Sequence, residues 1–195
     1  MTTHLSMDRD RTALLVMDYQ NDIVGSVSGR ERAGLLHRAS SVVAATRKAG
    51  IPVVYVVVSF RPGHPEVSAR NKSFSAMKST GRLGEGTPGA EIHGSVRPDA
   101  GEVVVTKRRV GAFSTTDMET VLRSMGVTNL VLAGISTSGV VLSTVRWAAD
   151  ADYEIVVLED CCADPDPEVH RVLTEKIFPR QATVARTLDY LHALA

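Results

Sequence analysis

Short apolar runs rich in valine, isoleucine and leucine recur along this chain. Within each run the apolar residues are continuous and do not alternate with polar ones, which is typical of strands buried on both faces of a parallel sheet. The pattern predicts six strands, at residues 12–17, 52–59, 102–106, 129–133, 153–158 and 182–185.

Amphipathic segments of helical length separate most of these strands. The first covers residues 30–49, and Gly50 is expected to end it because glycine is favoured just after the last helical turn. Further helices are predicted at residues 116–125, 139–151, 167–177 and 187–194. Strands that alternate with helices predict an α/β layered sheet with right-handed crossovers.

Residues 60–101 depart from this alternation. The segment is rich in Gly, Pro, Ser, Lys and Arg and shows no strong periodicity. A connection this long in a compact domain is usually functional or partly disordered. Two interpretations stay open, a substrate lid or subunit contact on one side and a merely mobile insertion on the other, and we favour the first.

Composition limits the classes of partner. The chain has 195 residues, 44% of them hydrophobic, which suits a single domain over residues 1–195 with a substantial core. Lys plus Arg and Asp plus Glu number 22 each, so nothing attracts the chain as a whole to nucleic acid or acidic membranes. No signal-peptide pattern is found, and no apolar run approaches the roughly 18 residues of a membrane span. We expect a cytoplasmic protein whose partner is a small molecule or another subunit.

The only two cysteines, Cys161 and Cys162, are adjacent. An ordinary disulfide between neighbours is sterically disfavoured, and the pair provides no metal-ligand spacing. Reduced thiols fit a cytosolic protein. Although the pair follows the fifth predicted strand, buried free cysteine mostly packs as a small hydrophobe, and we favour that role over a catalytic one.

Polar residues follow three of the predicted strands at the carboxyl ends, where open parallel sheets bind ligands. They are residues 18–22, 107–109 and the Gly/Ser/Thr turn 134–140. Asp18 and Lys107, brought together at adjacent strand ends, would form an ion pair that keeps the carboxylate charged or hands it a proton during turnover. Taken singly, Asp18 could instead cap a turn and Lys107 could be solvated.

Four motifs, in order along nearly the whole chain, resemble the isochorismatase-like (cysteine hydrolase) superfamily. They are ALLVMDYQND at 13–22, VTK at 105–107 leading into GAFS at 111–114, GISTSGVVLSTVR at 134–146 and VLEDCCA at 157–163. That superfamily includes nicotinamidases, N-carbamoyl amidohydrolases and isochorismatases. The resemblance implies a three-layer α/β/α hydrolase fold with a six-stranded parallel, Rossmann-like sheet.

The resemblance also implies roles for single residues. Asp18 matches the family's acid/base and Lys107 its lysine. A cis peptide is expected between Ile135 and Ser136, and the backbone N–H groups of Ser136 and Val140 are expected to form an oxyanion hole. The family's nucleophilic cysteine aligns with Val140. Because amide hydrolysis in this family passes through a thioester, the valine argues against nicotinamidase, ureidoacrylate or N-carbamoyl amidohydrolase activity.

Chemistry without the thiol has a precedent in the same family. True isochorismatases carry glycine at that position and hydrolyse a vinyl ether with a proton from the aspartate, which needs no protein nucleophile. Valine is larger than glycine and would narrow the pocket, which disfavours chorismate-like substrates as well. A serine nucleophile at Ser136, Ser138 or Ser143 would need an adjacent base, and no histidine follows locally.

The sequence gives weaker indications about metal binding and about further residues that contact substrate. Nicotinamidases hold a metal through an Asp-x-His pair and further histidines after the second strand, where this chain has only His64, so we predict no metal and no other cofactor. Arg61 could hold a substrate carboxylate bidentately or could be a solvated loop residue. Phe113 and Tyr19 are expected either in the core or in the pocket wall that contacts substrate.

Two functions stay open. One is a hydrolase that acts on a small carboxylated or cyclic metabolite by Asp/Lys acid–base chemistry, and the other is a catalytically silent relative that serves as a ligand-binding or assembly module. The presence of both Asp18 and Lys107 favours the first, because a buried ion pair is costly to keep. The resemblance also implies a homo-oligomer, a dimer or tetramer, with residues 60–101 and 164–179 as candidate contacts.

Overall fold

A single parallel sheet organises the molecule. The structure is a computed structural model that describes Leu5 and residues 7–195, so part of the N-terminal segment without a signal-peptide pattern lies outside the described residues. All neighbouring strands pair in parallel, in the order β3-β2-β1-β4-β5-β6. The strands are β1 Thr12–Met17, β2 Val53–Val58, β3 Val103–Lys107, β4 Asn129–Ile135, β5 Glu154–Ala163 and β6 Thr183–Ala185. The six predicted strands are confirmed.

Helices cover both faces of the sheet. They are α1 Asn21–Val24, α2 Gly29–Lys48, α3 Lys72–Thr80, α4 Met118–Ser124, α5 Leu142–Asp150, α6 Pro167–Val172 and α7 Thr187–Leu194. Every residue of β1 and β2 is buried, as the continuous apolar runs predict. Successive side chains of β1 enter opposite cores, Leu15 on the face of α4 and α5, and Leu14 on the face of α2. The predicted three-layer α/β/α fold is therefore confirmed.

The helix α2 agrees with its prediction to within one residue at each end. Gly50 follows it with a φ of 73°, a backbone conformation that favours glycine. Two other predicted helices are shorter than expected, because a π-helical turn, Thr137–Val141, precedes α5 and another, Leu173–Ile177, follows α6. None of the helices within the described residues combines the length and apolarity that crossing a membrane requires.

Strand β5 is longer than the apolar run that predicted it. Its pairing with β4 moves from Leu132↔Val157 to Gly134↔Cys162, so the extra residues bulge outward on β5 before pairing resumes. The polar pair Glu159 and Asp160 lies in this bulge. Bulged residues need not alternate between buried faces, so the hydrophobic pattern could not predict the extension.

The segment 60–101 contains regular structure that its weak periodicity did not predict. Helix α3 lies in its middle, where the Asn71 side chain accepts a hydrogen bond from the Phe74 N–H at 3.2 Å and Gly81, with a φ of 68°, follows the last turn. Phe74 packs in a separate small core with Phe60, at a ring centroid distance of 5.1 Å. An asparagine cap and a terminal glycine are local signals that could have located this helix.

Candidate active site

Asp18 and Lys107 meet at the carboxyl ends of two strands. Asp18 directly follows β1, and Lys107 is the last residue of β3. Their strands are not adjacent, as the sequence analysis supposed, because β2 lies between them. The lysine side chain spans the intervening strand, and its Nζ lies 2.9 Å from Asp18 Oδ2. The predicted contact is therefore confirmed, across two strand spacings instead of one.

The backbone of Asp18 leaves the strand abruptly. Its N–H still donates to the carbonyl of Val56 at 2.8 Å, yet its φ is 60°, in the left-handed region that non-glycine residues rarely adopt. Such a conformation costs of order 1 kcal/mol or more and persists only where the surrounding structure imposes it. Strain of this kind on a polar residue at a strand end is a feature of functional sites.

The ion pair is almost completely removed from solvent. Asp18 is 5% exposed and Lys107 is 2% exposed. Burial raises the pKa of Asp18 above its ordinary value of 3.8, and the charge of Lys107 opposes that shift without cancelling it. Lys107 Nζ also donates to the carbonyl oxygen of Arg109 at 3.2 Å, which fixes the direction of the ammonium.

The second carboxylate oxygen of Asp18 has no partner. Oδ1 is buried and makes no hydrogen bond of ordinary geometry to any described residue: the nearby Val58 N–H, which lowers the pKa of Asp18, donates to Gln20 Oε1 at 2.9 Å. An unsatisfied buried oxygen of this type costs about 1–3 kcal/mol in a protein interior. The oxygen therefore stays unsatisfied in a residue that lines the adjoining cavity.

That cavity lies beyond the carboxyl ends of the strands, where the fold predicts ligand binding. Its volume is about 810 Å³, which is in the range of small-molecule sites. Asp18, Lys107 and Val140 all line it, and Phe74 and Met77 of α3 contribute part of its wall. The segment 60–101 thus supplies one side of the cavity.

The turn after β4 forms another side of the cavity. The Ile135–Ser136 peptide is cis, which confirms that prediction. A Cβ added at Gly139 would lie 2.7 Å from Ser136 Oγ, so only glycine fits there without a shift. Val140 is 1% exposed and packs in the core beside the cavity. The oxyanion hole formed by the N–H groups of Ser136 and Val140 stays a prediction.

Two hydrogen bonds that the sequence did not predict tie this turn to the chain around α6. Thr137 Oγ1 lies 2.8 Å from His170 Nδ1, and the Ser138 N–H donates to Asp164 Oδ2 at 2.7 Å. The partners are distant in sequence, and only the closeness of β4 and β5 brings them together. They connect α6 and the residue after β5 with the turn that lines the cavity.

Three residues predicted to contact substrate lie outside the cavity lining. Arg61 has a 62% exposed side chain, and its Nη1 pairs with Glu66 Oε1 at 2.6 Å. Tyr19 points into the core, where its hydroxyl donates to the Cys161 carbonyl at 2.7 Å. Phe113 stacks on Trp147 with ring centroids 3.9 Å apart. Arg61 lies outside the cavity because its loop directs the side chain towards solvent. Tyr19 and Phe113 lie in the core, which was one of the two positions expected for them.

Three charged residues that the sequence analysis did not single out line the cavity instead. They are Arg82, just after α3, Glu31 in the first turn of α2, and Asp164, just after β5. Arg82 Nη2 donates to the carbonyl of Asp22 at 2.7 Å, and its Nε lies 3.6 Å from the Asp22 carboxylate. No motif marked these residues, because their proximity depends on how α3 and the bulged end of β5 fold over the strand ends.

The two cysteines are buried and free. Burial raises the pKa of Cys161 to about 12 and raises that of Cys162 as well. Neither thiol lines the 810 Å³ cavity. Both therefore remain protonated at neutral pH, which supports a packing role.

Histidine and acidic residues do not gather into a metal site within the described part of the chain, where no group of three or more potential ligands is found. His64 Nε2 lies 2.8 Å from the carbonyl oxygen of Arg82, a contact between two parts of the segment 60–101. The expectation of no metal and no other cofactor stays a prediction.

The fold and the site together place this protein in a class of α/β proteins, those with a parallel sheet and a buried Asp–Lys pair at its carboxyl edge. The family profile described as Isochorismatase domain matches residues 12–189, and the chain belongs to this family of hydrolases. A protein named probable inactive nicotinamidase, from Arabidopsis thaliana, is 33% identical over 165 residues, covering 82% of this chain and 84% of that protein.

Two further similarities extend over most of the chain. A ureidoacrylate amidohydrolase of Methylobacterium radiotolerans is 29% identical over 194 residues, covering 89% of this chain and 75% of that protein. The solved structure of an isochorismatase family protein from Burkholderia thailandensis is 27% identical, with a TM-score of 0.86 and 97% of each chain covered. Fold and sequence therefore agree on the family.

Proposed function

We propose that this protein hydrolyses a small carboxylated or cyclic metabolite by acid–base chemistry at Asp18 and Lys107, without a protein nucleophile. One observation carries the proposal. A buried carboxylate, paired through one oxygen with a buried ammonium, keeps its other oxygen unpartnered beside a cavity of about 810 Å³. A purely structural ion pair would gain nothing from leaving that oxygen unsatisfied.

Asp18 acts as the base in this proposal. Its free oxygen takes a proton from bound water while the water oxygen bonds to the scissile carbon of the substrate. The proton then passes to the leaving nitrogen or oxygen as the bond to carbon breaks, which returns Asp18 to its ionised form. Lys107 stabilises the carboxylate before attack and after proton return. The turn at Ser136 and Val140 is the proposed site for the developing negative charge.

The residue at position 140 explains why, in this proposal, water must attack the substrate directly. We propose that Val140 stands where other family members carry their nucleophilic cysteine, and its side chain lines the same cavity as Asp18. Valine has no atom that can form an acyl intermediate. Similarity to a ureidoacrylate amidohydrolase makes amides one candidate substrate class. Hydrolysis of an amide here would proceed without an acyl-enzyme intermediate, with water as the nucleophile.

A catalytically silent ligand-binding or assembly module is the second candidate. It is favoured by the apolar side chain at position 140 and by the similarity to a protein named as a probable inactive nicotinamidase. In both cases we propose one domain over residues 1–195, because a single sheet includes strands from Thr12 to Ala185. Cytoplasmic location and homo-oligomerisation stay predictions.

The test compares Asp18→Asn with Asp150→Asn, which changes an exposed carboxylate at the end of α5. Both are assayed against a panel of small amides and esters, whose carbonyl carbon water can attack. Asp18→Asn should lower kcat by roughly 100-fold or more, because the amide cannot accept the proton, and Asp150→Asn should not. Unchanged turnover in Asp18→Asn would overturn the proposal. Binding of panel compounds by the wild type without any turnover would favour the silent module.

A further inference from the structure

We infer that the cavity selects a substrate with an apolar body and a positively charged group, and that Glu31 and Asp164 bind that group. The inference concerns which molecules bind. Of the carboxylated and cyclic substrates proposed above it keeps the cyclic class and adds a cationic group, and it rests on the proposed function only for the fate of the bound molecule.

The positive charges of the cavity are already neutralised. Lys107 pairs with Asp18 at 2.9 Å, and Arg82 pairs with Asp22 through the contacts to its carbonyl and carboxylate. Arg61, the residue expected to hold a substrate carboxylate, points away and pairs with Glu66. Among the described residues, both cations that line the cavity therefore already have a carboxylate partner.

Two negative charges of the cavity have no such compensation. Glu31 Oε2 accepts a hydrogen bond from Ser28 Oγ at 3.1 Å. Asp164 accepts from the backbone N–H groups of Ser138 at 2.7 Å and Asp166 at 3.3 Å. Within Leu5 and residues 7–195, neither carboxylate has a lysine, arginine or histidine nitrogen within 4.0 Å.

The two carboxylates lie on the same side of the cavity. Glu31 and Asp164 line both the main cavity and a smaller one of about 190 Å³, and Pro167 is shared as well. The two cavities therefore meet at this acidic side. A ligand cation placed there would interact favourably with both carboxylates, whereas a ligand carboxylate would be repelled by both.

The remaining wall favours an apolar ligand body. Ile23, Val27, Phe74, Met77 and Val110 line the main cavity. Asp18, a nearly buried residue that also lines the cavity, leaves its Oδ1 without a hydrogen-bond partner among the described residues. The inferred substrate presents its hydrolysable group to Asp18 and its cation to Glu31 and Asp164.

Three probes of matched shape test the inference by binding alone. They are phenethylamine, which is cationic at neutral pH, the neutral 2-phenylethanol and the anionic 3-phenylpropionate. Dissociation constants are measured by ligand-observed NMR titration of the wild type at low salt, where turnover cannot interfere because none of the probes contains a hydrolysable bond. Phenethylamine should bind about tenfold more tightly than 3-phenylpropionate, with 2-phenylethanol between them.

Charge removal at Glu31 provides the decisive variant. Glu31→Gln should reduce the preference for phenethylamine by about threefold to fivefold, the effect of one partly exposed ion pair. The matched control is Glu119→Gln, which also changes a glutamate in the first turn of a helix but lies outside the cavity lining. Because Glu31 is exposed, its replacement should leave the fold intact. The preference should also fall at high salt.

Three outcomes would overturn the inference: equal or tighter binding of 3-phenylpropionate, failure of all three probes to bind, or a cation preference that Glu31→Gln leaves unchanged. None of these outcomes depends on catalysis. A protein that binds phenethylamine selectively yet hydrolyses nothing would refute the proposed function and leave the selectivity intact. A hydrolase that prefers anionic substrates would refute the selectivity alone.

Discussion

At the scale of single residues, the site combines a reactive pair with an unreactive neighbour. Asp18 and Lys107 are both nearly inaccessible, and the pKa of the carboxyl group is raised because burial outweighs the attraction of the lysine. Val140 lines the same cavity and can contribute only shape. The chemistry proposed for this cavity therefore depends on proton transfer, and two predictions follow from this arrangement.

The first prediction concerns the thiol that this cavity lacks. Val140→Cys should place a sulfur near Lys107, where a cation lowers a thiol pKa and favours the reactive thiolate. Iodoacetamide should label Cys at position 140 faster than Cys161, whose pKa of about 12 keeps it protonated. Peptide mass spectrometry measures the rates, and the wild type should stay unlabelled. Faster labelling at Cys161 or Cys162 than at position 140 would argue against this environment; a smaller alkylating reagent controls for access.

The second prediction concerns pH. A base must be ionised, so kcat/KM should fall as pH drops through the pKa of Asp18, which burial places above 3.8. Lys107 lowers that pKa, so Lys107→Met should move the acidic limb to higher pH, while Lys48→Met, at the exposed end of α2, should not. A limb that Lys107→Met leaves in place would show that another group controls it.

At the scale of elements, the sequence predicts what is periodic or locally capped. The apolar runs located all six strands, and the spacing with Gly50 located α2. The predictions failed where long-range pairing decides, as in the bulge between Val157 and Cys162 and in the direction of Arg61. The contact of Asp18 with Lys107 was predictable from strand ends, but the placing of Arg82, Glu31 and Asp164 depends on α3 and the end of β5.

Helix α3 is predicted to shape the substrate site. Phe74→Ala removes a ring that packs on Phe60 and lines the cavity, so it should lower the free energy of unfolding by about 3 kcal/mol and raise KM. Phe74→Leu keeps most of the volume and serves as the control. Denaturant unfolding and steady-state kinetics measure the two effects. A loss of stability with unchanged KM would show that α3 supports the fold but does not contact substrate.

At the scale of the whole molecule, a sheet covered by helices on both faces buries strands β1 and β2 completely, and the candidate site lies at its carboxyl edge. Homo-oligomerisation stays a prediction, and Val169 of α6, which is 36% exposed and lies in the candidate contact 164–179, is the position chosen to test it. Light scattering should give the wild type a mass of a dimer or a tetramer of the 20.9 kDa chain. Val169→Glu should lower this mass towards that of the monomer. A wild-type mass of 20.9 kDa would contradict the prediction.

The central claim is hydrolysis that depends on Asp18 and on no thiol. The most direct measurement is the steady-state rate of a cysteine-free protein, Cys161→Ala with Cys162→Ala, before and after Asp18→Asn is added. Because no cysteine then remains, a thioester is impossible. We predict that the cysteine-free protein keeps wild-type turnover and that Asp18→Asn lowers it roughly 100-fold or more. Loss of turnover in the folded cysteine-free protein, or full turnover with Asn at position 18, would contradict the account.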